Sequence, residues 1–143
     1  DATKLKRVNA GALEDCRRAI VNALTLGKTL CVYLGDVVPD FAEKVCTGKN
    51  REFFPQGVFR HGGLESEMTR DKIYRDADRE AGACVVRPGF RVCVVVMYDN
   101  MGLEMSSMRT EELPAKIPDF ALMQQVRCYC QEDKKKFLEK LRS

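Results

Sequence analysis

The chain has 143 residues, 45% of them hydrophobic, which is the size of a single domain with enough apolar material for one core. Its 24 Lys and Arg against 21 Asp and Glu leave a net charge of +3, and the signs alternate along the chain, so no basic stripe for a nucleic-acid partner is expected. No run approaches the about 18 consecutive apolar residues that span a bilayer; the longest β-rich run, Val92 to Met97, is strand-sized, and no membrane partner is expected.

The opening Asp1-Ala2-Thr3-Lys4 has no apolar segment behind it and reads as neither a secretory signal nor a transit peptide. The expectation is a protein that stays where it is made, or one cut from a longer chain. Seven cysteines, Cys16, Cys31, Cys46, Cys84, Cys93, Cys128 and Cys130, make an odd number. Most sit in apolar runs, where a thiol behaves as a small hydrophobe, which argues for a reducing, cytoplasmic compartment.

In chain order, Leu5 to Val8 reads as a short extended run. Asn9 then caps a helix with apolar positions Leu13, Cys16, Ile20, Ala23 and Leu24, and Gly27 stops it. Thr29 to Leu34 is β-branched and apolar on both faces, the pattern of a central strand in a parallel sheet. Phe41, Val45 and Cys46 predict a second, shorter helix ending at Gly48. An irregular stretch from Phe53 carries Val58, Phe59 and Gly62-Gly63. Residues 65–80 are almost wholly polar and read as an exposed loop or mobile insertion with a helical turn around Ile73 and Tyr74.

Cys84 to Val86 and Phe90 to Met97 are predicted as two strands meeting at a tight turn over Arg87-Pro88-Gly89. Asn100 to Glu112 is polar and Met-rich, and Pro114 and Pro118 are expected to break any helix. Met123 to Cys130 reads as a further strand and Gln131 to Leu141 as a closing helix. Together these elements predict one α/β domain over residues 1–143 with a largely parallel sheet flanked by helices.

Chemistry has few places to sit. Neither G-x-x-x-x-G-K-S/T nor G-x-G-x-x-G occurs, so the backbone cradle that crowds N–H groups round phosphates is not coded. Asp36 and Asp40 lie beyond a buried strand, where α/β enzymes place catalytic carboxylates; the plainer reading is a loop residue and a helix cap. His61, the only histidine, could form a dyad with a cysteine, but no orienting group is close in sequence and a solvated loop histidine is the simpler reading. Asp76-x-Asp78-x-Glu80 fails as a calcium loop, with Ala81 at its sixth position and Arg87 at its twelfth. Cys128 and Cys130 share a strand face without a second pair at metal spacing and read as core thiols. Met101, Met105 and Met108 read as loop packing before a pliable binding surface. No metal and no cofactor is expected.

From about Leu5 to Phe120 the order of these pieces resembles a degenerate AAA+ module of a dynein heavy chain, most nearly the fifth of its six. Leu26 to Val32 looks like that family's glycine-ended helix entering the Walker B strand, and Gly35-Asp36-Val37-Val38-Pro39 like the turn beyond it. Phe90-Arg91, the strand behind it and Asn100 resemble the sensor strand, and Ile117-Pro118-Asp119-Phe120 resembles the element that opens the next strand. The chain departs from the family in lacking the Walker A strand and loop, which would precede Leu5. Tyr33 also stands where a catalytic acid would be, and the 65–80 segment is longer.

The resemblance implies a P-loop-NTPase-like fold of the AAA+ large-subdomain kind, degenerate at Tyr33, Asp36 and Asn100, and a scaffold without catalytic residues. Its implied role is coupling between neighbouring AAA+ modules or motor-associated proteins, on microtubules in the cytoskeleton, a cilium or a flagellum. Apolar faces left by a missing first strand are expected to favour self-association. The alternative is a small stand-alone doubly wound enzyme with a crevice around Asp36, Asn100 and His61.

Overall fold

A computed structural model describes residues 10–35, 37–96, 111–126 and 139. It is a mixed α/β structure in which several helices and helical turns surround a two-stranded parallel sheet. Helix α1 runs Ala10–Leu26 and buries Leu13, Arg17, Ile20, Val21, Ala23 and Leu24. It ends as the sequence predicts. The Lys28 N–H reaches back to the Ala23 carbonyl (2.9 Å) and the Gly27 N–H to that of Leu24 (3.3 Å), the paired bonds of a Schellman cap. Gly27 has φ +62, and a Cβ there would lie 2.6 Å from the Pro88 carbonyl oxygen, so both conformation and space require glycine. The predicted Asn9 cap and the Leu5 to Val8 run lie outside the described residues.

Strand β1 (Thr29–Gly35) pairs in parallel with β2 (Arg91–Val96), in register from Thr29↔Arg91 to Tyr33↔Val95, with an irregularity before Gly35↔Val96. The expectation of a strand buried on both faces is corrected. Thr29, Cys31 and Tyr33 are exposed, while Leu30, Val32 and Leu34 pack on the core together with Val92, Val94 and Val96. Only one face is covered because the other predicted strands do not form among the described residues. Residues 83–87 carry no ladder; their Arg87 N–H goes to the Leu24 carbonyl at the end of α1 (3.0 Å) and the Ala83 carbonyl accepts the Thr25 hydroxyl (2.6 Å). The segment is therefore committed to the helix, and the hairpin expected across Arg87-Pro88-Gly89 is absent.

Between β1 and β2 the chain builds the core from short turns. Phe41–Val45 is a π-helical turn, with the Cys46 N–H on the Phe41 carbonyl (2.8 Å). Gly48–Glu52 and Gln56–Phe59 are 3₁₀ turns. Phe41, Phe54 and Phe59 meet with ring centroids 5.1 to 5.6 Å apart, so the stretch that looked irregular is the aromatic centre of the core.

Residues 65–80 are mostly exposed. They contain two short helices, α2 (Glu67–Asp71) and α3 (Asp76–Glu80), and between them Ile73 (0% exposed) and Tyr74 pin the segment to the core. A polar surface conceals two buried anchors, each worth about 2 kcal/mol of burial. Pro114 does not break the chain's helicity: residues 111–116 are helical, Leu113 and Ile117 are buried, and Lys116 bonds Glu112 and the Val38 carbonyl (3.2 Å). The strand expected from Met123 is not found over 123–126, which follow a 3₁₀ turn at Phe120–Leu122; its remainder and the closing helix lie outside the described residues, apart from helical Glu139. No helix among the described residues is long and apolar enough to cross a membrane.

Candidate functional site

The parallel pairing brings both strand C-termini, Gly35 and Val96, to one edge, the place where open α/β sheets carry their ligands. Asp36 and Asn100, which follow those ends, lie outside the described residues. Tyr33, the third residue expected there, projects from the face opposite the core and is 63% exposed. Asp40 has the plainer of its two roles: its Oδ1 accepts the Glu43 N–H (2.9 Å) and caps the π-helical turn. His61 sits exposed on the turn after Phe59. Met101, Met105, Met108, Cys128 and Cys130 are not described, and among the described residues no group of three or more His, Cys, Asp or Glu is placed to hold a metal ion.

The uncovered sheet face presents three rows of cross-strand neighbours, Thr29 beside Arg91, Cys31 beside Cys93 and Tyr33 beside Val95. Exposed Val37 (53%) lies just beyond the end of β1. A face of this composition suits a protein contact, since β-branched, aromatic and thiol groups offer area for burial with one cation at the margin.

Beneath α1 lies a charged centre that the sequence reading did not single out. Arg17 is only 3% exposed and donates to Glu14 (2.7 Å), Asp78 (2.5 Å) and the Ile73 carbonyl (2.8 Å). Its signal was available in the spacing, because Arg17 falls between Leu13 and Ile20 on the apolar stripe of α1. The Arg17 hydrogen bonds hold the Glu14 carboxyl down to about 2 against the opposing effect of burial, with Arg18 adding a smaller pull. For Asp78, burial works upward, but the Arg75 backbone N–H and the Arg17 guanidinium outweigh it and the carboxyl is lowered. Arg17 is raised in turn, first by its bond to Glu14. The acidic run that briefly suggests a calcium loop is thus spent on a helix: Asp78 ties α3 to α1.

A cavity of about 280 Å³ opens beside this centre, lined by Glu67, Arg70, Asp71, Tyr74, Arg79 and Cys84. Two donors in this region, Arg70 Nε and the Tyr74 hydroxyl, are buried without a hydrogen-bond partner among the described residues. Burial is the main cause that pushes the Tyr74 phenol above its ordinary value. The lining carries two cations and two anions, with Arg79 and Asp71 3.6 Å apart, so the cavity has no net charge with which to select a ligand.

Comparison with protein-family models, curated proteins and solved structures finds no match to this chain. Fold and site therefore rest on the residues described above.

Proposed function

We propose that this chain is a non-catalytic AAA+-like module that serves a structural and coupling role in a dynein-type microtubule motor or a motor-associated protein, through protein–protein contacts. The observation that carries the reading is the parallel β1–β2 pair. Two of the segments that carry the resemblance, one entered from a glycine-ended helix and one beginning Phe90-Arg91, lie far apart in sequence and are hydrogen-bonded neighbours with their C-terminal ends at the same edge. That arrangement supports the reading because a nucleotide-binding sheet also gathers its strand ends at one edge; in it, exposed Tyr33 would take the place of the family's acid.

These 143 residues hold no glycine phosphate loop and so do not themselves supply the usual source of nucleotide affinity. The partners are neighbouring AAA+ modules or motor-associated proteins, and the setting is the microtubule cytoskeleton, including cilia and flagella. The uncovered sheet face supplies contact area for such a partner. The 65–80 segment is a weaker candidate for that contact than its polarity suggests, because Ile73, Tyr74 and Asp78 anchor it to the chain's own core.

Two experiments test the proposal. Calorimetry with Mg-ATP and with ADP is expected to give no heat at millimolar nucleotide; a micromolar constant would overturn the non-catalytic reading and turn attention to Asp36, Asn100 and His61. Sedimentation with the adjoining AAA+ modules of a dynein heavy chain is expected to show a complex that Tyr33→Asp weakens. No complex at any concentration would remove the motor assignment.

A further inference from the structure

We infer that Cys31 and Cys93 form an exposed dithiol, a modification site that exchanges with a low-molecular-weight disulfide and closes into a Cys31–Cys93 disulfide. The two residues are direct partners in the parallel register. Neighbouring strands lie about 4.8 Å apart, inside the window of about 4.4 to 6.8 Å between Cα atoms that a disulfide spans. Pairing partners in a sheet project from the same face, and here that face is the uncovered one: both cysteines are free and exposed, while Leu30, Val32, Val92 and Val94 on either side of them in sequence pack inward. The fold has already brought together two thiols 62 positions apart (93 − 31) and left the approach to them open.

The other described cysteines are poorer targets. Cys46 is buried, and burial pushes its thiol up to about 12. Cys16 is exposed as a residue, yet burial of its sulfur and the nearby Asp15 carboxylate raise it, and none of the residues packed beside it in α1 is a cysteine. Cys84 is half-buried at the cavity that Tyr74 lines.

The chemistry is exchange in two steps. One cysteine thiolate attacks a sulfur of the small disulfide, forming a mixed disulfide and expelling one thiolate. The second cysteine thiolate then attacks the protein sulfur of that mixed disulfide and expels the other. Two protein thiols are oxidised, one small disulfide is reduced to two thiols, and the two protons end on those thiols. Side chains stand upright on a sheet, so the Cβ separation follows the strand spacing and sits at or beyond the long end of the preferred range of about 3.5 to 4.5 Å. A bridge closed under that constraint is readily reduced, which makes the modification reversible. The site stands on register and exposure alone and does not depend on the proposed coupling role.

Oxidised glutathione added to the folded full chain, followed by alkylation, trypsin digestion and mass spectrometry, tests this directly. The expected product is a chain lighter by two hydrogens before alkylation, with one cross-link joining the Cys31 and Cys93 peptides after digestion, reversed by a mild excess of reduced glutathione. Cys31→Ser and Cys93→Ser are each expected to stop at a stable glutathione adduct on the remaining cysteine. The same reaction in urea is expected to lose the preference for this pair. Separate glutathione adducts on Cys31 and Cys93 in the wild-type chain would overturn the inference, as would a dominant cross-link between any other pair or reaction at Cys16 alone.

Discussion

Arg17 concentrates the residue-scale energetics, because a guanidinium that is 3% exposed must be matched donor by donor. Its acceptors Glu14 and Asp78 keep some contact with solvent, at 29% and 17% exposure, so they tolerate its loss better than a fully buried pair would. Arg17→Ala removes the hydrogen bonds and leaves a hole, and a loss of about 3 kcal/mol is expected in urea unfolding. Arg17→Met fills the hole but orphans the Ile73 carbonyl, and about 1 to 2 kcal/mol is expected. The same centre sets an acid response. Glu14 falls to about 2 from an ordinary 4.5 and Asp78 is also lowered, so both contribute stability that is full above their unfolded values and is lost as pH drops through the folded ones. Unfolding free energy should therefore decline from about pH 4.5 towards about pH 2, and a flatter acid limb is expected in Arg17→Met. Tyr74→Phe has the opposite character. It deletes a buried hydroxyl that has no partner among the described residues, and stability equal to or slightly above wild type is expected; a loss above about 1 kcal/mol would mean that the hydroxyl is bonded in solution.

Elements held by close backbone approach show how steric demands narrow the choice of residue. A Cβ on Gly63 would lie 2.3 Å from the Gly57 carbonyl oxygen, so the turn after the 3₁₀ segment can close only on glycine. Gly63→Ala is expected to cost about 2 kcal/mol or more, whereas Gly82→Ala, whose Cβ meets nothing within 4 Å, carries only the strain of a positive φ, about 1 kcal/mol. Parallel thermal melts of the two variants would distinguish contact from strain. This contrast also marks where sequence reading succeeds. The end of α1 at Gly27 and the course of β1 and β2 were legible because helix period, glycine stop and β-branched runs are local signals. The aromatic core of Phe41, Phe54 and Phe59 was not, since three short turns hold those rings and none has a period to detect. The 83–87 segment misled for a different reason: its composition is that of a strand, but its donors and acceptors are spent on α1 by residues far away in sequence. Arg17 was visible only as a charge on an apolar stripe, with Asp78, its partner 61 residues on, hidden until the fold was known.

At the scale of the whole molecule, the described residues supply one parallel pair, packed on the core by one face. A two-stranded sheet is marginal in water by itself, and stable domains bury such a face or pair its edges. Here the covered face rests on α1 and the turns between the strands, while the opposite face exposes Tyr33 and Cys31. In the proposed coupling role a partner would pack on that side, either a neighbouring module or a second copy of the chain. Sedimentation velocity over a concentration series is expected to show weight-average mass rising with concentration, and Tyr33→Asp is expected to return it to the monomer value by placing an unpaired charge in the contact. Oxidation of Cys31 and Cys93 should act on the same equilibrium, because the bridge would lie in the row next to Tyr33. If wild type and Tyr33→Asp sediment alike as monomers, the uncovered face does not pair with itself. The proposed coupling role would then require a partner of different sequence, and the complex with adjoining AAA+ modules would be the experiment that decides it.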